Sequence, residues 1–393
     1  MTIRYLHVIQ SLDPRHGGPP EGIKQLSRVA TRLRHQVEVV VCERPDPSWA
    51  REYDCPIHYA GPSFHKYGYA PGLSGWLRRN AHRFNGVVVN GIWQYHSFCT
   101  WRVLRASSIP YSVFTHGMLD PWFKREYPLK HLKKWMYWPW AEYRVLRDAS
   151  AVMFTCEEER LLARQSFGLY RANEVVVGYG VPEPTGDPQG DRDAFLARFP
   201  QLRNKRFLLF LSRIHPKKGC DLLIQAFAAV AHRDRTLHLV IAGPDQIGLQ
   251  RELMELADRA GVAGSITWAG MLTGRVKTGG FRAAEAFVLP SHQENFGIAV
   301  AEALACATPV LISNKVNIWR EVVEDHAGLA ADDTLSGTID MLERWIALTP
   351  EDRNGMAQNA FRCFASRFHV DAAAFQILQV IAHFRTTGQP AIA

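Results

Sequence analysis

Two carboxylates and two cations set the chemistry this chain can attempt. Glu294 follows the turn Pro290-Ser291, and Glu302 comes eight positions later, within IAVAEALACATPVLIS, a run that otherwise reads as buried helix and strand. A lone carboxylate is almost never fully buried, so Glu302 faces either a cationic partner or a polar ligand. Arg213 and Lys218 stand five apart in SRIHPKKG (212–219), a loop closed by Pro216 and Gly219. A guanidinium and an ammonium held close repel each other unless an anion lies between them, and together they suit a diphosphate. A solvated basic loop is the alternative. In SLDPRHGGPPEG, Gly17 and Gly18 allow a close backbone approach and offer amides to a phosphate ahead of a helix, or simply make a tight turn.

These residues need elements to hold them. Strand-like runs lie at 3–9, 37–42, 87–90, 111–116, 151–155 and 175–178, then at 207–212, 237–243, 265–270, 286–291 and 309–313, with amphipathic stretches between them. Apolar strands alternating with helices imply α/β architecture with parallel sheets covered on both faces. At 393 residues the chain exceeds one ordinary core. The expectation is a first Rossmann-like domain over 1–182, a linker over 183–200 around the Pro-, Gly- and acid-rich VPEPTGDPQGD, and a second Rossmann-like domain over 201–365. A C-terminal helix over 366–393 would pack back on the first domain. Ligands of such sheets bind beyond the carboxyl ends of the strands. The turns AGPD (242–245) and AGML (269–272) fall there, so a flat base could lie on backbone near Gly243, Met271 and Leu272.

Bulk composition narrows the classes. The net charge of +8 favours an anionic partner, which nucleic acid, anionic lipid or a phosphorylated small molecule would each satisfy. No recognised nucleic-acid module is present, so no nucleic-acid partner is expected. Seven scattered cysteines without a C-x-x-C pair fit a reducing compartment and argue against a disulfide framework or structural zinc. The N-terminus lacks a signal-peptide core, and no apolar run reaches the roughly 18 residues of a membrane span. The expected location is cytoplasmic, with peripheral contact at the inner face of the plasma membrane.

The order and spacing of four elements then become specific. S-R-x-x-x-x-K-G, IAGPD, a W-x-G turn and LPS-x-x-E-N-F-G-x-x-x-x-E-A-L-A together resemble glycosyltransferase family 4, retaining enzymes of GT-B fold that use nucleotide sugars. The resemblance implies two sheets facing a central cleft. It implies that Arg213 and Lys218 hold the donor diphosphate and neutralise the charge that develops as it departs. Glu302 would accept from the ribose hydroxyls and Glu294 from the donor sugar, with the amides of Asn295, Phe296, Gly297 and Ile298 facing sugar and phosphates. It implies a UDP- or GDP-linked co-substrate, no metal and no other cofactor. The one D-x-D, Asp191-Arg192-Asp193, then reads as solvated linker charge.

The first domain matches less fully. YSVFTHGMLDPW (111–122) resembles the His loop of family members that build bacterial surface polysaccharides, which implies His116 near the reaction centre; a strand-end His could equally cap the next helix. Where many relatives carry Asn-Gly, this chain has Gly178-Tyr179-Gly180-Val181-Pro182, a turn with no role assigned beyond hinging. No separate general base is visible, which the family's same-face mechanism tolerates because the leaving phosphate helps take the acceptor proton. Residues 122–147 carry seven Lys/Arg and four Trp against two acids, a net of +5. That composition suits a membrane interface and a lipid-linked glycan acceptor, or an amphipathic helix whose Trp residues pack inward. The expected activity is hexose transfer in exopolysaccharide, capsule or lipopolysaccharide assembly. A sugar-nucleotide epimerase or another GT-B enzyme, a nucleic-acid binder and a non-catalytic sugar binder are the competing readings.

Overall fold

The computed structural model describes residues 2–45 and 47–387, which divide into two compact units: Met1–Pro182 with Val370–Ala393, and Glu183–His369. The first is built on seven parallel strands, β1 (Arg4–Ile9), β2 (Gln36–Val41), β3 (Ile57–Tyr59), β4 (Gly86–Asn90), β5 (Tyr111–Phe114), β6 (Ala151–Phe154) and β7 (Glu174–Val176). They lie in the order β3-β2-β1-β4-β5-β6-β7. The second holds six, β8 (Arg206–Leu211), β9 (Leu237–Ala242), β10 (Ile266–Gly270), β11 (Ala286–Leu289), β12 (Val310–Ser313) and β13 (Gly328–Ala331), ordered β10-β9-β8-β11-β12-β13. Both are doubly wound Rossmann sheets, with the strand order reversing between β1 and β4 and between β8 and β11. Helices on both faces explain why GVVVN of β4 and VLIS of β12 are buried at every position.

Every strand expected from the sequence is present, and two edge strands are added. IHY of β3 is short and half-buried, and GLAA of β13 is poor in β-formers, so neither carries an apolar run.

The reading of 183–200 as linker needs correction. The second unit starts at Glu183, and Pro188–Arg198 is a helix, begun by Pro188 and capped by Asp187, whose carboxylate accepts from the amides of Gln189 and Gly190. The acid, Pro and Gly cluster was a helix start. This helix packs so closely on helix Gly274–Ala283 that a Cβ at Gly279 would stand 1.9 Å from the Asp191 carbonyl oxygen. Asp191 is buried at 1% exposure and pairs with Arg275 at 2.9 Å, so it is an internal anchor, whereas Asp193 is exposed. At the other end, helix Val370–Thr387 belongs to the first unit, where Asp371 pairs with Arg32 and Ile381 abuts Gly86.

Candidate active site

In the second unit two loops beyond the ends of β8 and β11 are zipped together. Ser291 is fully buried, its hydroxyl 3.0 Å from the Lys217 carbonyl, and the His292 amide donates to the same oxygen at 2.8 Å. Gly219 makes this approach possible: at φ +67° it accepts a left-handed turn, and a Cβ there would lie 2.1 Å from the Pro290 carbonyl oxygen. The short helical turn Pro216–Lys218 is capped by the His215 ring, which accepts from the Lys217 amide. Burial and the charges of Arg213, Lys217 and Lys218 lower the His215 pKa, so its ring stays a neutral acceptor.

This geometry brings Lys218 onto Glu294. The Lys218 side chain is 7% exposed and its ammonium donates to Glu294 Oε2. Burial pushes the Glu294 carboxyl up, but the fields of Lys218, Lys217 and Arg213, with the Lys218 hydrogen bond, outweigh it and hold it below the usual carboxylate range. Glu294 is thus ionised within a cluster of cations. Its backbone is fixed as well, its amide donating to the Lys315 carbonyl and its carbonyl accepting from the Asn317 amide. Arg213 is exposed.

Glu302 has a cation of its own. Lys277, on helix Gly274–Ala283, donates to it at 2.6 Å, with both side chains about a quarter exposed. Both readings of this carboxylate therefore hold a share of the structure, since it is paired and yet reaches solvent. Gly297, at φ +78°, starts helix Ile298–Ala305. Phe296 is a core residue packed edge-on against Phe368, and Asn295 Oδ1 lies 3.5 Å from Asn317 Nδ2, so the Phe296 ring faces the core and not a ligand. Gly243 is required, because a Cβ would fall 1.7 Å from the Ser212 carbonyl oxygen. Met271 is 60% exposed, while the Leu272 side chain is buried against Gly280, which leaves its backbone as the group available to a base.

The first unit assembles its own constellation. His116 leaves β5 at φ +48°, stacked on Phe114 with ring centroids 4.5 Å apart. Its Nε2 lies 3.2 Å from Asn90 Oδ1, and Asn90 Nδ2 lies 3.0 Å from His7 Nδ1. Burial, helped by His7, pushes His116 down to about 3, so it is a neutral hydrogen-bonding group. Buried Glu159 fixes the loop from both sides, accepting from the Thr115 hydroxyl at 2.7 Å and the Gly117 amide at 2.6 Å. Gly17, at φ +85°, precedes helix Gly18–Arg32. Tyr179 is no mere hinge: its hydroxyl donates to the Gly18 carbonyl, its ring fills the space a Cβ at Gly22 would need, and it stands edge-on to His116.

Both units match known protein families. Residues 17–180 match the model described as Glycosyl transferase 4-like domain, and residues 191–362 match Glycosyl transferases group 1. The chain belongs to the GT-B glycosyltransferases of family 4 type. It is 34% identical over 239 residues to the D-inositol 3-phosphate glycosyltransferase of Actinosynnema mirum, covering 56% of each chain, and 31% identical over 194 residues to that of Kineococcus radiotolerans, covering 48% of this chain and 45% of the other. The chain spans about half the length of the curated relatives it matches. Among solved structures, Anabaena HepE in complex with UDP superposes with TM-score 0.77 at 18% identity, over 97% of this chain and all of that one. Sucrose-phosphate synthase from Thermosynechococcus elongatus gives 0.76 at 16%, over 97% and 99%. Identities this low speak for the fold.

Residues 122–147 of the glycosyltransferase divide between the two expectations. Helices Trp122–Glu126, Pro128–Tyr137 and Glu142–Arg147 replace a single helix. Trp138 packs inward, stacked on Phe167 at 4.1 Å. Leu129, Leu132 and Met136, at helical spacing, are 82%, 59% and 62% exposed, and Trp135 and Trp140 join them. Among the described residues no helix is long and apolar enough to cross a membrane. Asn90, Glu159 and Lys277 were missed by sequence reasoning. Asn90 ends its strand as a polar residue after three valines, which was the available signal; the other two sit in ordinary charged helices.

Proposed function

We propose that this glycosyltransferase moves a hexose from a UDP- or GDP-sugar, with retention of configuration and without a metal or other cofactor, to a lipid-linked glycan acceptor. The observation that carries the reading is the Lys218–Glu294 pair, seated beside Arg213 at the sheet's switch point, where a diphosphate and the adjoining sugar need a cation and a carboxylate side by side. Arg213 and Lys218 take the diphosphate and stabilise it as it leaves; Glu294 accepts from sugar hydroxyls and Glu302 from the ribose. Gly243 and Met271 would flank the base, with the amides of Asn295 to Ile298 toward the sugar and phosphates. Neutral His116 serves as a hydrogen-bonding partner near the transferred sugar, and the departing phosphate takes the acceptor proton.

The relatives' names support a sugar donor and a phosphorylated acceptor, and HepE also has structures with UDP-glucose and with UDP and glucose. For the acceptor, the support is the exposed stripe of Leu129, Leu132 and Met136 beside Lys130 and Lys133, which complements an anionic membrane. A place in exopolysaccharide, capsule or lipopolysaccharide assembly, at the inner face of the plasma membrane, follows from that acceptor. Thermal-shift screening against UDP-, GDP- and ADP-sugars tests the donor: stabilisation by none would sink it. Flotation with phosphatidylglycerol vesicles tests the surface, and binding unchanged on reversing Lys130 and Lys133 to Glu would refute that part.

A further inference from the structure

Beneath helix Pro128–Tyr137 the first unit holds a cavity of about 60 Å³ that none of the roles above uses. It has room for a few waters or one compact tetrahedral anion. Its walls are aromatic, from Trp93, Phe123, Tyr127 and Phe167, and its polar lining is dominated by Lys130, His131 and Lys134, with Asp120 as the one acid.

The cations are poorly provided for. The Lys134 ammonium is drawn in over the Trp93 ring at 4.4 Å and the Phe123 ring at 5.6 Å, and no carboxylate pairs with it among the described residues. Lys130 lies over the Tyr127 ring at 4.5 Å, and His131 is stacked on Phe167 at 4.7 Å. Burial lowers the Lys134 pKa, the Glu142 carboxylate opposes that, and Lys130 adds to it; burial and the charges of Lys124 and Lys134 lower His131. Ring faces offset only part of the cost of drawing the Lys134 ammonium out of water toward this small space. An anion in that space would be met by Lys134 and Lys130, and by His131 as a further donor. Asp120 already accepts from the Trp122 amide at 2.8 Å. The same helix turns its apolar stripe outward, so an anion held here would lie next to a surface suited to a hydrocarbon chain.

We propose that this cavity binds the phosphate group of the acceptor, with Lys130, His131 and Lys134 on the phosphate oxygens and Trp93, Phe123 and Phe167 against the group attached to it. The assignment rests on the transferase reading above and adds to it where the acceptor's anionic end is held.

The test titrates inorganic phosphate into the full chain by calorimetry, with UDP saturating so that the donor diphosphate site is occupied. One binding event is expected, weakened on the order of tenfold in Lys134→Gln, the loss of one charge-assisted hydrogen bond. The pair Lys130→Gln/His131→Gln should weaken it too, and Lys134→Arg should retain most of it. UDP titration of each variant reports that the chain is folded and its donor site intact. Competition by phosphatidic acid vesicles, but not phosphatidylcholine, would assign the phosphate to a lipid headgroup; competition by glucose 1-phosphate would assign it to a sugar. No binding under saturating UDP, the same affinity in Lys134→Gln and in the double variant, or binding that neither competitor displaces would overturn the proposal. Failure of the wild-type chain to bind either UDP or GDP would instead count against the donor reading, since the cavity lies in the other unit.

Discussion

Lys218→Ala should cost stability and turnover for separable reasons, and the separation tests the proposed role. The Lys218 ammonium is the main partner of a largely covered carboxylate, the Glu294 side chain being 24% exposed. Breaking a buried pair from one side costs about 3–5 kcal/mol. The remaining exposure and the fields of Lys217 and Arg213 place this case near the lower end, about 3 kcal/mol. For a unit of this size that corresponds to a fall in its melting midpoint of roughly 6–12 °C. On the rate, loss of a cation aimed at charge developing on the leaving diphosphate should remove a factor of about 10²–10³.

A pair that only holds two loops together would give the first loss without the second. Lys218→Met/Glu294→Gln removes both charges, so it should regain much of the midpoint while leaving turnover at least about 10² down. Glu294→Gln alone frees Lys218 and should leave UDP binding intact while turnover falls. The assay is release of nucleoside diphosphate from the donor, read well below the lowest midpoint, beside thermal unfolding of the same samples. The assignment is refuted if Lys218→Ala keeps kcat/KM for the donor within roughly threefold, under 1 kcal/mol, or if the double variant recovers turnover along with stability.

Other expectations are simpler to read. Glu302→Gln weakens a charged acceptor for the ribose, so donor KM should rise about tenfold with kcat little changed; a fall in kcat at constant KM would contradict the ribose role. Gly219→Ala puts a Cβ 2.1 Å from the Pro290 carbonyl oxygen at φ +67°, so it should lower the second unit's midpoint and turnover together, and an unaffected variant would mean the two loops are not locked. Buried Glu142, which accepts from the Trp93 amide and the Ser97 hydroxyl, is raised to about 7, mainly by burial. Its folded form holds a proton that the unfolded chain releases near the ordinary carboxylate value. Stability should therefore fall by about 3 kcal/mol between pH 4.5 and pH 7.5 from this group alone, and Glu142→Gln should flatten that slope in thermal melts taken across the range. His116, neutral from about pH 4 upward, should contribute no limb to the pH–rate profile between pH 5.5 and 8.

Much of this was legible because the second unit's site is local in sequence. SRIHPKKG and the Glu294 loop each lie directly after an apolar strand, and a parallel sheet brings such strand ends to one edge whatever the details of packing. What escaped were partners brought from elsewhere in the fold. Lys277 reaches Glu302 from a neighbouring helix, and Glu159 holds the His116 loop from across the end of the sheet. Neither spacing nor composition marks such pairs. Asp191 failed for a related reason: its burial depends on Gly279 allowing another helix to approach, which a glycine in a helical stretch does not announce.

Three of the errors at strand ends follow one rule. The runs 111–116, 237–243 and 286–291 each extend past the observed strand, which stops at Phe114, Ala242 and Leu289. In each case the chain stays buried or half-buried while the backbone leaves the ladder: His116 at φ +48°, Gly243 at φ +137°, and Pro290, which has no amide to donate. These segments stay covered because polar groups there find internal partners, as the Ser291 hydroxyl does in donating to the Lys217 carbonyl. A residue that is buried like a strand but freed from the sheet can direct its side chain or amide at a ligand while the core holds it still. That combination is what a transferase needs around a diphosphate, and these three strand ends border the candidate sites.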